Sequence, residues 1–272
     1  YEYQQIELDG QLDKNSFDGL LALEDPNVAL TMNGHLGLGS QVPTFDLTAH
    51  IDHFRPHPLK LTTGREGYEY AASLHAHFSG NNPDNLEGTL SIDSLEANLP
   101  RDTFFMPQLA INATNTREGQ KLITVESEAI QARIEGKYTY ETLPTSLVQI
   151  LGKYLPSLFA KKQTREVDNE FTFDVTLADS KFYPYVMDLP LKVEPAAKLK
   201  GFVSNKEGQI SITGDVPILT YGEDRYEIGQ FRCYNSPSGI MANFSIAKQM
   251  ADNARVTLML DTRATNDTLN TT

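Results

Sequence analysis

Apolar and polar residues alternate one for one along most of this chain, and a period of two is the mark of half-buried β-strands. Phe45, Leu47, Ala49 and Ile51 share a parity, with Asp46, Thr48 and His50 between them. Ile130, Ala132 and Ile134 continue in parity to Tyr138 and Tyr140, and Phe171, Phe173, Val175 and Leu177 repeat the pattern. Val256, Leu258 and Leu260 carry it near the end. One face of each strand is thus apolar and the other wet. That suits an antiparallel sheet and not the unbroken apolar runs of a buried parallel one. The expected fold is all-β.

A glycine motif runs through these strands. Gly-x-(Leu/Ile)-x-(Leu/Ile) occurs at Gly19-Leu21-Leu23, Gly34-Leu36-Leu38, Gly88-Leu90-Ile92 and Gly208-Ile210-Ile212. Looser versions are Gly136-Tyr138-Tyr140 and Gly229-Phe231-Cys233. A strand glycine marks a bulge, a bend or a close backbone approach. Placed at strand starts on the apolar parity, these glycines predict a sheet that curls the same way each time. Their irregular spacing describes a decayed repeat and not a tandem array of fixed period.

One segment departs from the alternation. Leu143, Leu147, Leu151, Tyr154, Leu155, Leu158 and Phe159 fall on one stripe at helical spacing, predicting a short amphipathic helix near residues 142–159. Pro144 suits a first turn, and Pro156 kinks or ends the helix. Lys161, Lys162 and Arg165 follow, where cations favour a helix C-terminus. The stripe fits a membrane-surface helix or a cover over a sheet end; amphipathicity is mostly a packing signal, which favours the cover.

Composition excludes several classes. A net charge of −13 opposes a phosphate-binding surface, so no nucleic acid is expected. Cys233 is the sole cysteine, which rules out an internal disulfide and a cysteine-rich zinc module. No apolar run approaches the length of a membrane helix, and mean hydropathy is −0.37. The start shows neither a signal peptide nor an initiator Met, so the chain is expected to be a segment cut from a larger protein.

The residues that catalysis or metal binding would need are poorly placed. All six histidines lie between 35 and 77: His35, His50, His53, His57, His75 and His77. Their spacing resembles metal ligands, yet His50, His75 and His77 sit on the polar parity, as solvated histidines do. Gly34 to Gly39 matches a phosphate loop by count only, being inside a strand. There is no Gly-x-Ser-x-Gly elbow, and the acidic residues Asp9, Asp13, Asp18, Glu24 and Asp25 have a simpler role in turns. No Trp is present to stack on sugars. Asn112, Asn243, Asn266 and Asn270 match the glycosylation sequon, which Thr-rich strands supply by chance. No catalytic residue, metal or cofactor is expected.

The stretch from Gly10 through Phe17, Gly19, Leu23 and Asp25 to Pro26 resembles repeats of the TamB-like translocation and assembly module family. So do Gly34 to Leu38 running into Pro43, Phe45 and Leu47, and Leu143-Pro144 through Tyr154 to Leu158. The likeness covers most of residues 5–250 and is nearest the Bacteroidetes type within the AsmA-like superfamily of repeating β-groove proteins. It implies an elongated, curled, open-sided sheet with an apolar trough. It also implies a periplasmic location, an inner-membrane anchor outside the segment, and work in phospholipid movement or outer-membrane assembly. The implied partners are phospholipid acyl chains or unfolded outer-membrane strands, with an Omp85-type outer-membrane protein met by regions outside this segment. The implied lining is Leu36, Leu38, Phe45, Leu47, Ile51, Leu90, Ile92, Ile130, Ile134, Phe173, Val175, Ile210 and Ile212.

The expected organisation is a β-groove segment at 1–140, the helix and basic linker at 141–165, a second β-groove segment at 166–265 and a disordered polar tail at 266–272. Two other classes stay open. A secreted or surface β-sandwich adhesin or glycan-binding module would seal its apolar faces in a core, and an enzyme would show a polar pocket of convergent carboxylates or histidines.

Overall fold

The computed structural model describes residues 3–39, 41–116, 119–159, 168–249 and 255–271. Strands take up 65% and helices 8%, with antiparallel pairing throughout the strand pairs given below. Circular dichroism should therefore be β-dominated; a helical share above about a third, the average for globular proteins, would contradict the architecture. The chain divides into two compact units, one of Tyr1–Asn115, Thr124–Glu128 and Tyr185–Met187, the other of Thr116–Ile123, Ala129–Pro184 and Asp188–Thr272. The expected break at residue 140 is absent. The helical stretch is part of the second unit because its apolar side chains pack there.

The first unit is a meander of β1 (Ile6–Leu12), β2 (Ser16–Asp25), β3 (Val28–Gly37), β4 (Thr44–Phe54), β5 (Glu69–Ser79), β6 (Glu87–Leu99) and β7 (Asp102–Asn115), each paired with the next. Turn chemistry sets the connections. The buried Asp25 carboxylate accepts the backbone N–H of Asn27 at 2.9 Å and of Gln4 at 3.1 Å, closing the β2–β3 turn around Pro26. Pairing aligns the apolar parities into rows across the sheet, among them Leu8, Leu21, Met32, Ala49, Leu74, Ile92 and Leu109. A register shift in β6 leaves Ser94 at a bulge with φ +54°, the extra residue that bends a strand.

β8 (Lys121–Ser127) contributes residues to both units. In the second unit come β9 (Ile130–Lys137), α1 (Leu143–Tyr154), α2 (Pro156–Phe159), β10 (Glu170–Ala178), α3 (Phe182–Tyr185, ending at the boundary) and β11 (Leu191–Glu194). Then follow β12 (Ala196–Ser204), β13 (Gln209–Val216), β14 (Ile218–Tyr221), β15 (Asp224–Glu227), β16 (Gly229–Ser236), β17 (Gly239–Gln249), β18 (Arg255–Thr265) and β19 (Thr268–Thr271). The main ladder runs β9–β10–β12–β13–β16–β17–β18–β19, while β11, β14 and β15 form a ribbon that meets β17. Residues 266–271 are ordered into a hairpin, not a disordered tail. Asn266 and Asp267 adopt positive φ at the turn, and β19 pairs with Thr262–Thr265.

α1 lies on this sheet. Ile150 and Leu155 are buried among Tyr138, Phe171, Val203, Ile210, Ile240 and Ala264, with Leu143, Leu147, Leu151 and Tyr154 packed around them. Polar groups at the strand ends fasten the helix. Asn169, 2% exposed, donates to the hydroxyls of Ser146 at 2.7 Å and Thr142 at 3.0 Å and accepts the N–H of Thr139 at 3.2 Å. Asn205 donates to the Ser146 carbonyl at 3.0 Å. Ser146 is fully buried and its hydroxyl also donates to the Thr142 carbonyl at 3.2 Å, so removing Asn169 leaves it with one of these two bonds and opens a gap at the helix start. Asn169→Ala should cost about 1–3 kcal/mol in urea denaturation, against a few tenths for an exposed Asn.

Asp267 ties down α2. Its carboxylate accepts the N–H of Ser157 at 2.8 Å and the Ser157 hydroxyl, and these bonds hold its pKa below the usual carboxylate value. A depressed folded pKa contributes stability above the unfolded value and loses it as pH falls through the folded one. Acid titration should thus loosen this end, and Asp267→Asn should remove that pH dependence; an unchanged profile would exclude the tie. Leu158 and Phe159 have side chains outside the described set, and Lys161, Lys162 and Arg165 lie outside the described residues.

Candidate functional site

The strand glycines shape the apolar faces. Gly10, Gly19 and Gly34 stand opposite one another across β1, β2 and β3. The Phe17 ring lies over the first two, 2.6–2.8 Å from where a Cβ would stand, and Leu47 covers the third at 2.8 Å. Phe173 covers Gly201 and Phe231 covers Gly214 in the same manner. Of the motif glycines only Gly19 lies under an aromatic ring, since Gly10, Gly201 and Gly214 are outside the motif, and the motif's glycines are not all at strand starts. Gly208 lies in the turn before β13 with φ +65°. Two of the motif glycines admit nothing else: with φ +148° and +151°, a Cβ on Gly88 would be 1.9 Å from the His77 carbonyl oxygen and one on Gly136 2.1 Å from that of Glu170.

In the first unit the glycine column leaves a hollow of about 210 Å³ bordered by Leu8, Phe17, Leu21, Met32, Leu36, Phe45 and Leu47. Its surroundings are open: Leu8 is 70% exposed, Leu12 72% and Leu47 36%. Leu36, Phe45, Leu47, Ile51, Leu90 and Ile92 all stand in the aligned apolar rows. Leu38 lies just beyond β3, its N–H bonded to the Asn15 carbonyl at 2.6 Å. Leu8, Leu12, Phe17, Leu21 and Met32 were not among the expected lining residues, although the alternation in β1, β2 and β3 carries them.

In the second unit Ile130, Ile134, Phe173, Val175 and Ile212 share the inward parity and are half-buried. Ile210 is a correction. At 3% exposure it lies under α1, because the helix fills the row to which it belongs. Cys233, paired with Ile212, is on the same face, and burial raises its thiol pKa. Burial likewise pushes the Tyr138 phenol up, and that of Tyr183 up to about 12, its hydroxyl donating to the Ala129 carbonyl at 2.6 Å. Lys121, itself buried, sits 4.6 Å from the Tyr140 ring centroid and 5.6 Å from that of Tyr138.

The strand histidines stand on the polar face of the first unit. His35 bonds Asp18 at 2.6 Å, His50 bonds Ser73 at 2.9 Å and His77 approaches Asp46 at 3.4 Å. Among the described residues no group of three or more His, Cys, Asp or Glu is placed to hold a metal. No helix among them is long and apolar enough to cross a membrane. What these residues define is an antiparallel β protein with in-register apolar faces, one partly open and one covered by a helix at one row. No family model, curated protein or solved structure matches the chain.

Proposed function

We propose that the apolar sheet faces form a hydrophobic groove that holds phospholipid acyl chains or unfolded outer-membrane strands. In this reading the chain is a periplasmic segment of a TamB-like, envelope-spanning protein, a scaffold or conduit and not an enzyme. The observation that carries it is the exposure of Leu8, Leu12 and Leu47 on an in-register apolar face. Large apolar side chains left open on one face mark a surface that meets another apolar body. An acyl chain laid there gains about 0.8 kcal/mol per buried CH₂. Since such contacts have no direction, the chain slides without large barriers. Anchoring in the inner membrane and the meeting with an Omp85-type partner belong to other parts of the parent protein.

A photo-crosslinker at Leu47, Ile134 or Val175 should capture phospholipid in envelope preparations. Leu47→Asp should leave the fold intact, because an open site lets the carboxylate reach water and avoids the several kcal/mol of a buried charge. The same variant should fail to restore envelope integrity in cells lacking the protein. Unfolding of every charged variant, Leu47→Asp included, would mean a sealed core and move the β-sandwich adhesin ahead.

A further inference from the structure

The outward face of the second unit carries an aromatic row that the apolar-face reading leaves unused. Register aligns Thr172, Phe202, Ser211, Tyr234 and Met241 across β10, β12, β13, β16 and β17. Val203, Ile210, Ile212 and Cys233 of the same strands belong to the inner cluster, so alternation turns Phe202 and Tyr234 away from it. Tyr234 is 38% exposed and Phe202 half-buried. Beside them runs a polar row, Asp174, Lys200, Thr213 and Arg232. A depression of about 350 Å³ opens where the two rows meet, bordered by Asp174, Lys200, Phe202, Ser211 and Thr213.

We propose that this face binds an extended β-1,4-linked glycan, laid across the strands. Neighbouring strands stand about 4.8 Å apart, so Phe202 and Tyr234, two strands apart, are spaced by about 10 Å, the distance between alternate rings of such a chain. An aromatic ring offers a flat apolar platform to the C–H face of a pyranose, and platforms at that step meet every second sugar. The polar row supplies the rest. Lys200 and Asp174 pair at 2.7 Å while 64% and 48% exposed, presenting donors and acceptors side by side to sugar hydroxyls. A polyanion is a poor fit, because Lys200 and Arg133 already face the carboxylates of Asp174 and Glu135 and the chain is acidic overall. The site lies on the opposite side of the strands from the apolar face, so each stands or falls without the other.

The test is titration of the intact chain with hexasaccharides, followed by calorimetry and by NMR. N-acetylglucosamine and glucose hexamers, both β-1,4-linked, separate an acetamido glycan from a plain one. Saturable binding of at least one is expected, while maltohexaose, an α-1,4 helix that breaks the alternate-ring spacing, should not bind. Phe202→Ala and Tyr234→Ala should each weaken binding severalfold to about tenfold. Should Phe202→Ala fail to fold, Tyr234→Ala decides alone, since its ring is partly exposed. No saturable binding at about 10 mM, equal binding of maltohexaose, or unchanged affinity in the folded variants would overturn the site.

Discussion

Ile150→Asp should abolish the cooperative unfolding transition of the second unit. Ile150 is fully buried in α1 against the inner sheet row. A carboxylate there has no water and no cation among the cluster residues, and an unpaired buried charge costs several kcal/mol. Against a typical total stability of about 5–15 kcal/mol, that is enough to unfold or detach the helix. Ile150→Val, which removes one methyl group, should cost only about 0.5–1.5 kcal/mol and keep the transition. Urea denaturation followed by circular dichroism reads both. If Ile150→Asp keeps a native midpoint, the helix does not seal that row. Together with Leu47→Asp the pair measures how differently the two apolar faces treat the same charge.

Gly136→Val should destabilise strongly although Val favours strands. The obstruction is backbone: a Cβ would stand 2.1 Å from the Glu170 carbonyl oxygen and 2.6 Å from Phe171 Cα, in the strand facing it. No rotamer change relieves such a contact, so β9 and β10 must part. The unusual φ alone accounts for about 1–3 kcal/mol, and the clash adds to it. Gly64 is the control, with nothing within 4 Å of its Cβ position; Gly64→Val should stay within about 0.5 kcal/mol. Equal melting temperatures for the two variants would show that the strand glycines are not structural.

Strand parity was legible because alternation is a local property: each neighbour in a strand points to the opposite face. Phe45, Leu47 and Ile51 therefore fell on one face from sequence alone, as did the polar placement of His50, His75 and His77. The helix at Leu143–Tyr154 was legible in its spacing, but Ile150, the residue it buries fully, lay outside the stripe read from the sequence. The glycines were visible but their cause was not. What sits on Gly201 is Phe173, 28 residues away by number, and only the β10–β12 register brings them together.

The sequence by itself determined which side chains face inward and which outward. Tertiary structure decided what covers them. Ile210 and Leu47 carry the same alternation signal, yet one is sealed beneath α1 and the other is open. The difference comes from Asn169, Asn205 and Asp267, which fix the helices from strand ends and a hairpin up to 110 residues distant. Periodicity describes a strand's two faces, whereas burial depends on which distant segment is held against one of them, and that is settled by long-range hydrogen bonds and packing.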